Sequence, residues 1–452
     1  MLDCIQKTRM KKPLTYFELE FIVKGFMNGE IPDYQMSSWL MAVCFQSLTE
    51  NETANLTQLM AQSGRQLSWE GFPHPPIDKH STGGVADTTT LLLIPLVAAC
   101  GITVAKMSGR GLGFTGGTLD KVDTIPGFRS ILSEEDFYSQ LKNHQLALTG
   151  QSADLAPADG KIYALRDASG TVESLPLIAS SVMSKKLAAG CPALVLDIKT
   201  GSGGFMKNPQ EAKALADLMV HIGQSAGRKV VACLTSMGQP LGNHIGNTLE
   251  VEEAILLLKN ANLTSDLARV TIALAAEMIL LGGVVSSLRE AHELVRKVWL
   301  NKQALEKMRE WITLQGGNSD IIDLPLKLPQ ATFQETLRSS SDGFVVKFDT
   351  EGLGILARDL GAGRLFKEDS IDPTAGLILR KRLGDSIAIG EPWLTAQNSS
   401  RLPSDLMERA QKLIQISTSP SPIPRLFIGR ISSSSFHPSP INKNTCLTDL
   451  ST

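Results

Sequence analysis

With 452 residues the chain is too long for one hydrophobic core, and two or three domains are expected. Its 44 basic and 46 acidic residues leave a formal net charge of −2, which excludes nucleic-acid or membrane binding through bulk charge. Aromatic residues, at 5%, are too sparse for base-stacking platforms, whereas 42% apolar and 20% charged residues suit a globular enzyme. Cys4, Cys44, Cys100, Cys191, Cys233 and Cys446 form no CxxC pair and have no histidine at metal spacing, so disulfide-scaffold and zinc readings fail. No signal-peptide core and no membrane-length apolar window is visible, and the expected location is cytoplasmic.

Residues 1–70 read as helices. Thr15-x-x-Glu18 is a capping box ahead of an apolar series at Phe17, Phe21, Ile22 and Phe26, and Thr49-x-x-Glu52 opens another helix. Three prolines make 71–76 a linker. Next, Lys79-His80-Ser81-Thr82-Gly83-Gly84-Val85-Ala86-Asp87-Thr88-Thr89-Thr90 gathers a Lys, a His, two glycines and five hydroxyls before an apolar helix at 91–99. Adjacent glycines admit a close-lying anion, hydroxyls and Lys add donors, and a helix N-terminus faces the same way. That is a phosphate cradle. An apolar strand at 103–107 then empties into Ser108-Gly109-Arg110-Gly111-Leu112-Gly113-Phe114-Thr115-Gly116-Gly117-Thr118, the strand-to-glycine-loop junction where open α/β sheets bind ligands.

Ser133-x-x-Asp136 caps a further helix, and 158–190 is helical again. There Ser181 and Lys185 stand i, i+4 on one face, while Lys185-Lys186 by itself reads as a solvated helix end. A buried strand at 193–199 runs into Thr200-Gly201-Ser202-Gly203-Gly204, followed by a helix at 211–222 and a strand at 229–234, the rhythm of a parallel sheet. Helices resume at 249–258 and 270–315. Short strands near 343–347, 376–379 and 387–389 flank a helix at 353–360. The fold class is α/β: a small all-helical domain, a larger α/β domain with a mixed, mostly parallel sheet, and a C-terminal α+β domain. In chain order the helical domain takes 1–70 and 158–190, the α/β domain 71–157 and 191–335, and the α+β domain 336–418. The Ser/Pro-rich tail, 419–452, is expected to be disordered.

These motifs, in this order over roughly residues 8–400, resemble the thymidine and pyrimidine-nucleoside phosphorylase family. The resemblance rests on Lys79 to Val85, Ser108 to Gly113, Thr115-Gly116-Gly117-Thr118-Leu119-Asp120-Lys121, Tyr163-Ala164-Leu165-Arg166-Asp167, Ser180-Ser181 with Lys185-Lys186, Lys199-Thr200-Gly201 and Gly246-Asn247. Thr88-Thr89-Thr90 and Ala105-Lys106-Met107 look more like its broad-specificity bacterial branch. The resemblance implies a homodimer that carries out reversible phosphorolysis, giving a free pyrimidine and a pentose 1-phosphate, with inorganic phosphate as co-substrate and no organic cofactor. It implies that Lys79, His80, Ser81, Thr90, Lys106, Met107, Ser108 and Thr118 surround phosphate. Arg166, Ser181 and Lys185 would bind the pyrimidine, with His80, Arg166 and Lys185 catalytic. It also implies a potassium ion near Ala86, Thr88, Leu241, His244 and Glu253.

The chemistry agrees with that implication. Cleaving an N-glycosidic bond releases an anionic pyrimidine, which fixed cations such as Arg166 and Lys185 would stabilise. His80, at an ordinary histidine pKa, would donate a hydrogen bond or proton. Separate base and phosphate lobes imply closure about hinges near 71–76 and 190–192, a hypothesis that identical small-angle scattering of free and doubly liganded protein would refute. Four positions depart from the family: Ala86 for Gly, Phe114 for His, Asp123 for Glu, and His244 for a small residue. Ala86 is expected to loosen the cradle if its φ is positive, and Phe114 to remove a polar group beside the site. The rival readings are a phosphoribosyltransferase of the same architecture, for which the two loops offer only Asp87 and Asp120 as acidic residues, and a catalytically weakened nucleoside-binding homologue.

Overall fold

The computed structural model describes residues 1–432, apart from Leu112, Thr115 and Lys367, together with the backbone of 435–438. Four helices open the chain: α1 (Leu2–Arg9), α2 (Tyr16–Met27), α3 (Asp33–Gln46) and α4 (Glu50–Ala61). Both expected capping boxes form, Thr15 with Glu18 and Thr49 with Glu52, each satisfying backbone donors at both of its ends. Glu52 does further work, because its other carboxylate oxygen accepts from the Leu14 amide at 2.7 Å and fixes the α1–α2 turn on α4.

The α/β domain begins with β1 (Ile77–Ser81), α5 (Thr89–Ala99), β2 (Val104–Ser108), α6 (Thr118–Val122), α7 (Glu134–His144) and β3 (Leu146–Gly150). The chain then returns to the helical bundle with α8 (Pro157–Ala168) and α9 (Leu175–Ala188). Back in the larger domain lie β4 (Ala193–Thr200), α10 (Pro209–Ser225), β5 (Lys229–Ser236), the short β6 (His244–Ile245), and α11 (Asn247–Lys259), α12 (Asp266–Leu281), α13 (Leu288–Leu300) and α14 (Gln303–Leu314). The central sheet runs β1-β4-β5 in parallel, and β2 with β3 make a separate parallel pair. β4 is buried at every residue, as a strand covered by helices on both faces must be.

The C-terminal domain holds β7 (Phe333–Arg338), β8 (Gly343–Phe348), α15 (Thr350–Ala357), β9 (Gly376–Leu379), β10 (Ser386–Ile387), β11 (Pro392–Asn398), α16 (Leu406–Gln411) and β12 (Ile414–Ser417) in two antiparallel sheets. β6 pairs with β9, so the larger domain lends this one an edge strand.

The tail differs from expectation. β13 (Phe427–Ser432) lies antiparallel on β5, and β14 (Ser435–Pro438) on β13, extending the central sheet. Composition misled here because Ser and Pro dominate around the strand, while Leu426, Phe427 and Ile431 are themselves buried. The remainder of the expected disordered tail lies outside the described residues.

Candidate active site

β1 delivers Lys79, His80 and Ser81 at its C-terminal end, and β2 delivers Lys106, Met107 and Ser108 beside them. The two strands are held together where the Lys106 Nζ donates to the Lys79 carbonyl at 2.5 Å. Thr90 lies in the first turn of α5, and Thr118 opens α6, whose Leu119 amide donates back to the Gly109 carbonyl. In the cradle itself Gly83 has φ +89°, and a Cβ on Gly84 would stand 2.4 Å from the Met237 methyl. One glycine is required by conformation and the other by space. Ala86 has φ +55°, so the left-handed conformation anticipated for that position is real.

Beneath the cradle lies a buried charge network that sequence reasoning missed. Asp87 accepts from the Ser81 hydroxyl at 2.5 Å and from the Thr89 hydroxyl at 2.6 Å. The Thr89 oxygen in turn accepts from the Lys79 Nζ at 2.6 Å. Asp197 accepts from the Thr235 hydroxyl at 2.6 Å and sits 2.7 Å from the Lys199 Nζ and 3.7 Å from the Lys79 Nζ. The Lys199–Asp197 pair is in ion contact but outside hydrogen-bond geometry, so each retains bonding capacity. Burial opposes the Lys199 charge, and Asp197 and Asp87 outweigh it, holding its pKa above the usual lysine value. Burial likewise opposes the Asp87 charge, and Lys199 and Lys79 outweigh it and hold the carboxyl well below the usual range. The missed signal was Asp197 and Lys199 at i, i+2, on one face of an otherwise apolar strand.

A second network joins the lobes. Asp78 takes the Lys106 Nζ at 3.2 Å and the Lys186 Nζ at 2.7 Å. Lys186 is therefore buried and paired, and the solvated helix end expected for it is not found. Burial, helped by Lys186 and Lys79 and opposed by Asp78, lowers the Lys106 pKa to about 7. Burial first, and then Lys186, Lys106, Lys79 and Lys185, depress the His80 pKa well below 6.5. His80 is neutral at pH 7, which corrects the ordinary pKa assumed from sequence. Its neutral ring offers one N–H as a hydrogen-bond donor.

Between the lobes opens a cleft of about 470 Å³, lined by Met107 from β2, Asp159 and Tyr163 from α8, and Lys185 and Lys186 from α9. That volume lies within the ~300–1,000 Å³ of small-ligand sites. Asp159 anchors the Lys185 Nζ at 2.7 Å, while its second oxygen is buried without a hydrogen-bond partner. Arg166 and Ser181 are not brought to this cleft wall. Arg166 is fully buried and donates to the carbonyls of Thr171, Val172 and Leu177, locking the α8–α9 corner from behind Tyr163. Ser181 is buried on α9, one turn ahead of Lys185.

Phe114 stands between the cradle and the C-terminal domain, beside Val85. It packs against the C-terminal domain, where a Cβ on Gly354 would stand 2.6 Å from the Phe114 carbonyl, and the Lys207 Nζ lies 5.8 Å above its ring. Asp123 accepts from Arg110 at 2.7 Å, which also reaches Asp120, the partner of Arg364. Around the suggested potassium positions the 85–86 and 241–244 backbones are tied together, while the Thr88 hydroxyl donates to Glu250. The Leu241 and Gly242 amides donate to the carbonyls of Val85 and Ala86, and Glu253 accepts from the amides of Asn243 and His244. Burial raises the Glu253 pKa above the usual carboxylate value, and no Lys or Arg among the described residues pairs with it. His244 and the two amides oppose that shift, and a cation beside Glu253 would oppose it further. The Ala86 carbonyl already accepts two amides, and the Leu241 carbonyl faces the Arg382 guanidinium at 3.4 Å, so the oxygens to spare are those of Glu253 and Thr88.

Sequence and structure comparisons place this geometry. The glycosyl transferase family α/β domain matches residues 74–305, the glycosyl transferase family helical bundle domain residues 2–64, and the pyrimidine nucleoside phosphorylase C-terminal domain residues 344–417. The chain is 45% identical over 432 residues to the pyrimidine-nucleoside phosphorylase of Geobacillus stearothermophilus, covering 96% of this chain and all of that one. It is 47% identical over 416 residues to that of Staphylococcus haemolyticus, covering 92% and 96%. The anthranilate phosphoribosyltransferase structure from Thermus thermophilus matches with a TM-score of 0.57 at 18% identity, over 69% of this chain and 99% of that one, a likeness of fold alone. A helical bundle, an α/β domain and the phosphorylase-type C-terminal domain, in one order and at such identity over nearly the whole length, place the chain in the pyrimidine-nucleoside phosphorylase family of glycosyl transferases, and its activity is the phosphorolysis of pyrimidine nucleosides.

Proposed function

We propose that the substrates are uridine, thymidine and deoxyuridine, with the base and pentose in the 470 Å³ cleft and phosphate over β1 and β2. The observation that carries this reading is the cleft's position, because Met107 belongs both to its wall and to the strand that ends in the second glycine loop. Phosphate attacks C1′ as the N-glycosidic bond breaks, and the base leaves with the bonding electrons. The hydrogen lost from phosphate balances the one that ends on the base. Lys79, Lys106, Ser81, Thr90, Ser108 and Thr118 position and neutralise the nucleophile, which is already anionic and needs no carboxylate base. Lys185, aimed by Asp159, stabilises charge as it develops on the base. Neutral His80 offers an N–H to a sugar or ring oxygen. Arg166, spent on three carbonyls behind Tyr163, holds the α8–α9 corner and so positions Tyr163 and Lys185 for the base.

Glu253 and Thr88, whose oxygens remain to spare beside the spent 86 and 241 carbonyls, would hold a potassium ion, which would supply positive charge to Glu253. The enzyme works as a homodimer through the bundle face where Phe17, Tyr34 and Phe45 are 77%, 72% and 79% exposed. One assay tests the reading: uridine and thymidine loss followed by absorbance with and without phosphate. Loss requires phosphate, and Lys185→Ala lowers kcat about 100-fold or more, whereas Phe114→His changes it little. Phosphate-independent loss would overturn the reading. Sedimentation as a single chain would remove the dimer, and melting unchanged between sodium and potassium salts would remove the ion.

A further inference from the structure

We propose that Asp87 is a positioning residue that turns Ser81 into a hydrogen-bond acceptor, so that the cradle recognises the proton of hydrogen phosphate and discriminates against proton-free anions of the same shape. This rests on the phosphate site assigned above.

The inference follows from where each hydroxyl hydrogen goes. Ser81 has one hydrogen and two lone pairs. The hydrogen lies on Asp87, at 2.5 Å, and one lone pair takes the Gly83 amide at 3.2 Å. What Ser81 has left to offer an incoming ligand is a lone pair. Asp87 has no reason to release the hydrogen. Its other oxygen is occupied by Thr89, whose own oxygen is filled by Lys79, so Thr89 has nowhere else to donate. Lys199, wholly buried 4.0 Å from Asp87, is the counter-charge that keeps a carboxylate stable beneath an anion site.

An anion held here meets ammonium and amide donors on most sides and one acceptor at Ser81. Hydrogen phosphate has an O–H to give it. Sulfate, equal in charge and nearly equal in shape, has none at neutral pH, and its oxygen would face the Ser81 lone pair unpaired, a mismatch that typically weakens binding about tenfold or more. The same contact fixes which phosphate oxygen carries hydrogen, and so turns a bare oxygen toward C1′.

The test is calorimetric titration of the full-length protein with inorganic phosphate and with sulfate, for wild type, Ser81→Ala and Asp87→Asn. Wild type binds phosphate about tenfold or more tightly than sulfate. Ser81→Ala weakens phosphate and leaves sulfate unchanged or tighter, so the preference collapses. Asp87→Asn, if it folds, frees Ser81 to donate and also erases the preference. Binding of neither anion, or no effect of Ser81→Ala on either, would mean that the anion site itself is misplaced. Phosphate bound with no preference over sulfate, or Ser81→Ala weakening both equally, would keep the site and overturn the role given to Asp87.

Discussion

Ala86 shows how a residue can break a local rule at little cost. Its left-handed backbone costs about 1–2 kcal/mol for an alanine, and glycine there would relieve that. Glycine would also lose about 0.5–1 kcal/mol of unfolded-state advantage and about 0.8 kcal/mol of methyl burial. That methyl is buried with Val85 in the core of the C-terminal domain. The terms nearly cancel. Ala86→Gly is therefore expected to change stability by less than about 1 kcal/mol, and the phosphate KM little. A larger gain in denaturant unfolding would mean that the cradle is strained. The conformation was legible from the glycine loop, whereas the methyl's destination was not, because it depends on a domain more than 250 residues downstream. Arg166 is a similar case. Its motif was legible, and its three carbonyl partners were not, since hydrogen bonds to backbone leave no side-chain signature in a sequence.

At the level of elements, charged residues inside apolar strands are what sequence reasoning undervalued. The two glycine loops were legible, because glycines and hydroxyls cluster along the chain. Their supports Asp78, Asp87, Asp197, Lys186 and Lys199 come from β1, α9, β4 and the α5 approach, and only strand pairing assembles them. β1 lies on β4 with Lys79 opposite Val195 and Ser81 opposite Asp197. Lys106 gives this network a pH dependence. Its pKa of about 7 lies below the 10.5 of an exposed lysine, so the folded state holds fewer protons than the unfolded state between those values. Carrying the charge costs stability in full below pH 7, and that cost disappears as pH rises toward 10.5. A phosphate placed beside β2 favours the ammonium and draws its proton back. At pH 8, phosphate binding should take up about one proton, measured as the dependence of binding heat on the buffer's ionisation enthalpy, and Lys106→Met should abolish it. Binding heat independent of buffer would show that Lys106 is already charged.

For the whole molecule, the lesson lies at the far end of the chain. The order of helical, α/β and C-terminal regions was readable from composition and periodicity, as was the return to helix at α8. The closing strand was not, because β13 has no stability of its own and exists only on the edge of β5. What fixes it is Arg430, whose guanidinium grips both oxygens of Glu277 on α12, at 2.6 and 3.0 Å. Glu277 is almost wholly buried while Arg430 is partly exposed, so the acid depends on the strand more than the strand on the acid. Arg430→Ala leaves that carboxylate buried without its partner, which costs about 2–4 kcal/mol after allowance for Arg430's exposure to solvent. The expected result is a clear fall in Tm with kcat/KM for uridine unchanged at 25 °C, since the pair lies outside the cleft. Arg430→Met combined with Glu277→Gln should recover at least half of the lost Tm, because removing both charges removes the uncompensated one. Equal melting of the single and double variants would locate the loss in the edge pairing of β13 itself, and make the closing strand a matter of backbone hydrogen bonds alone.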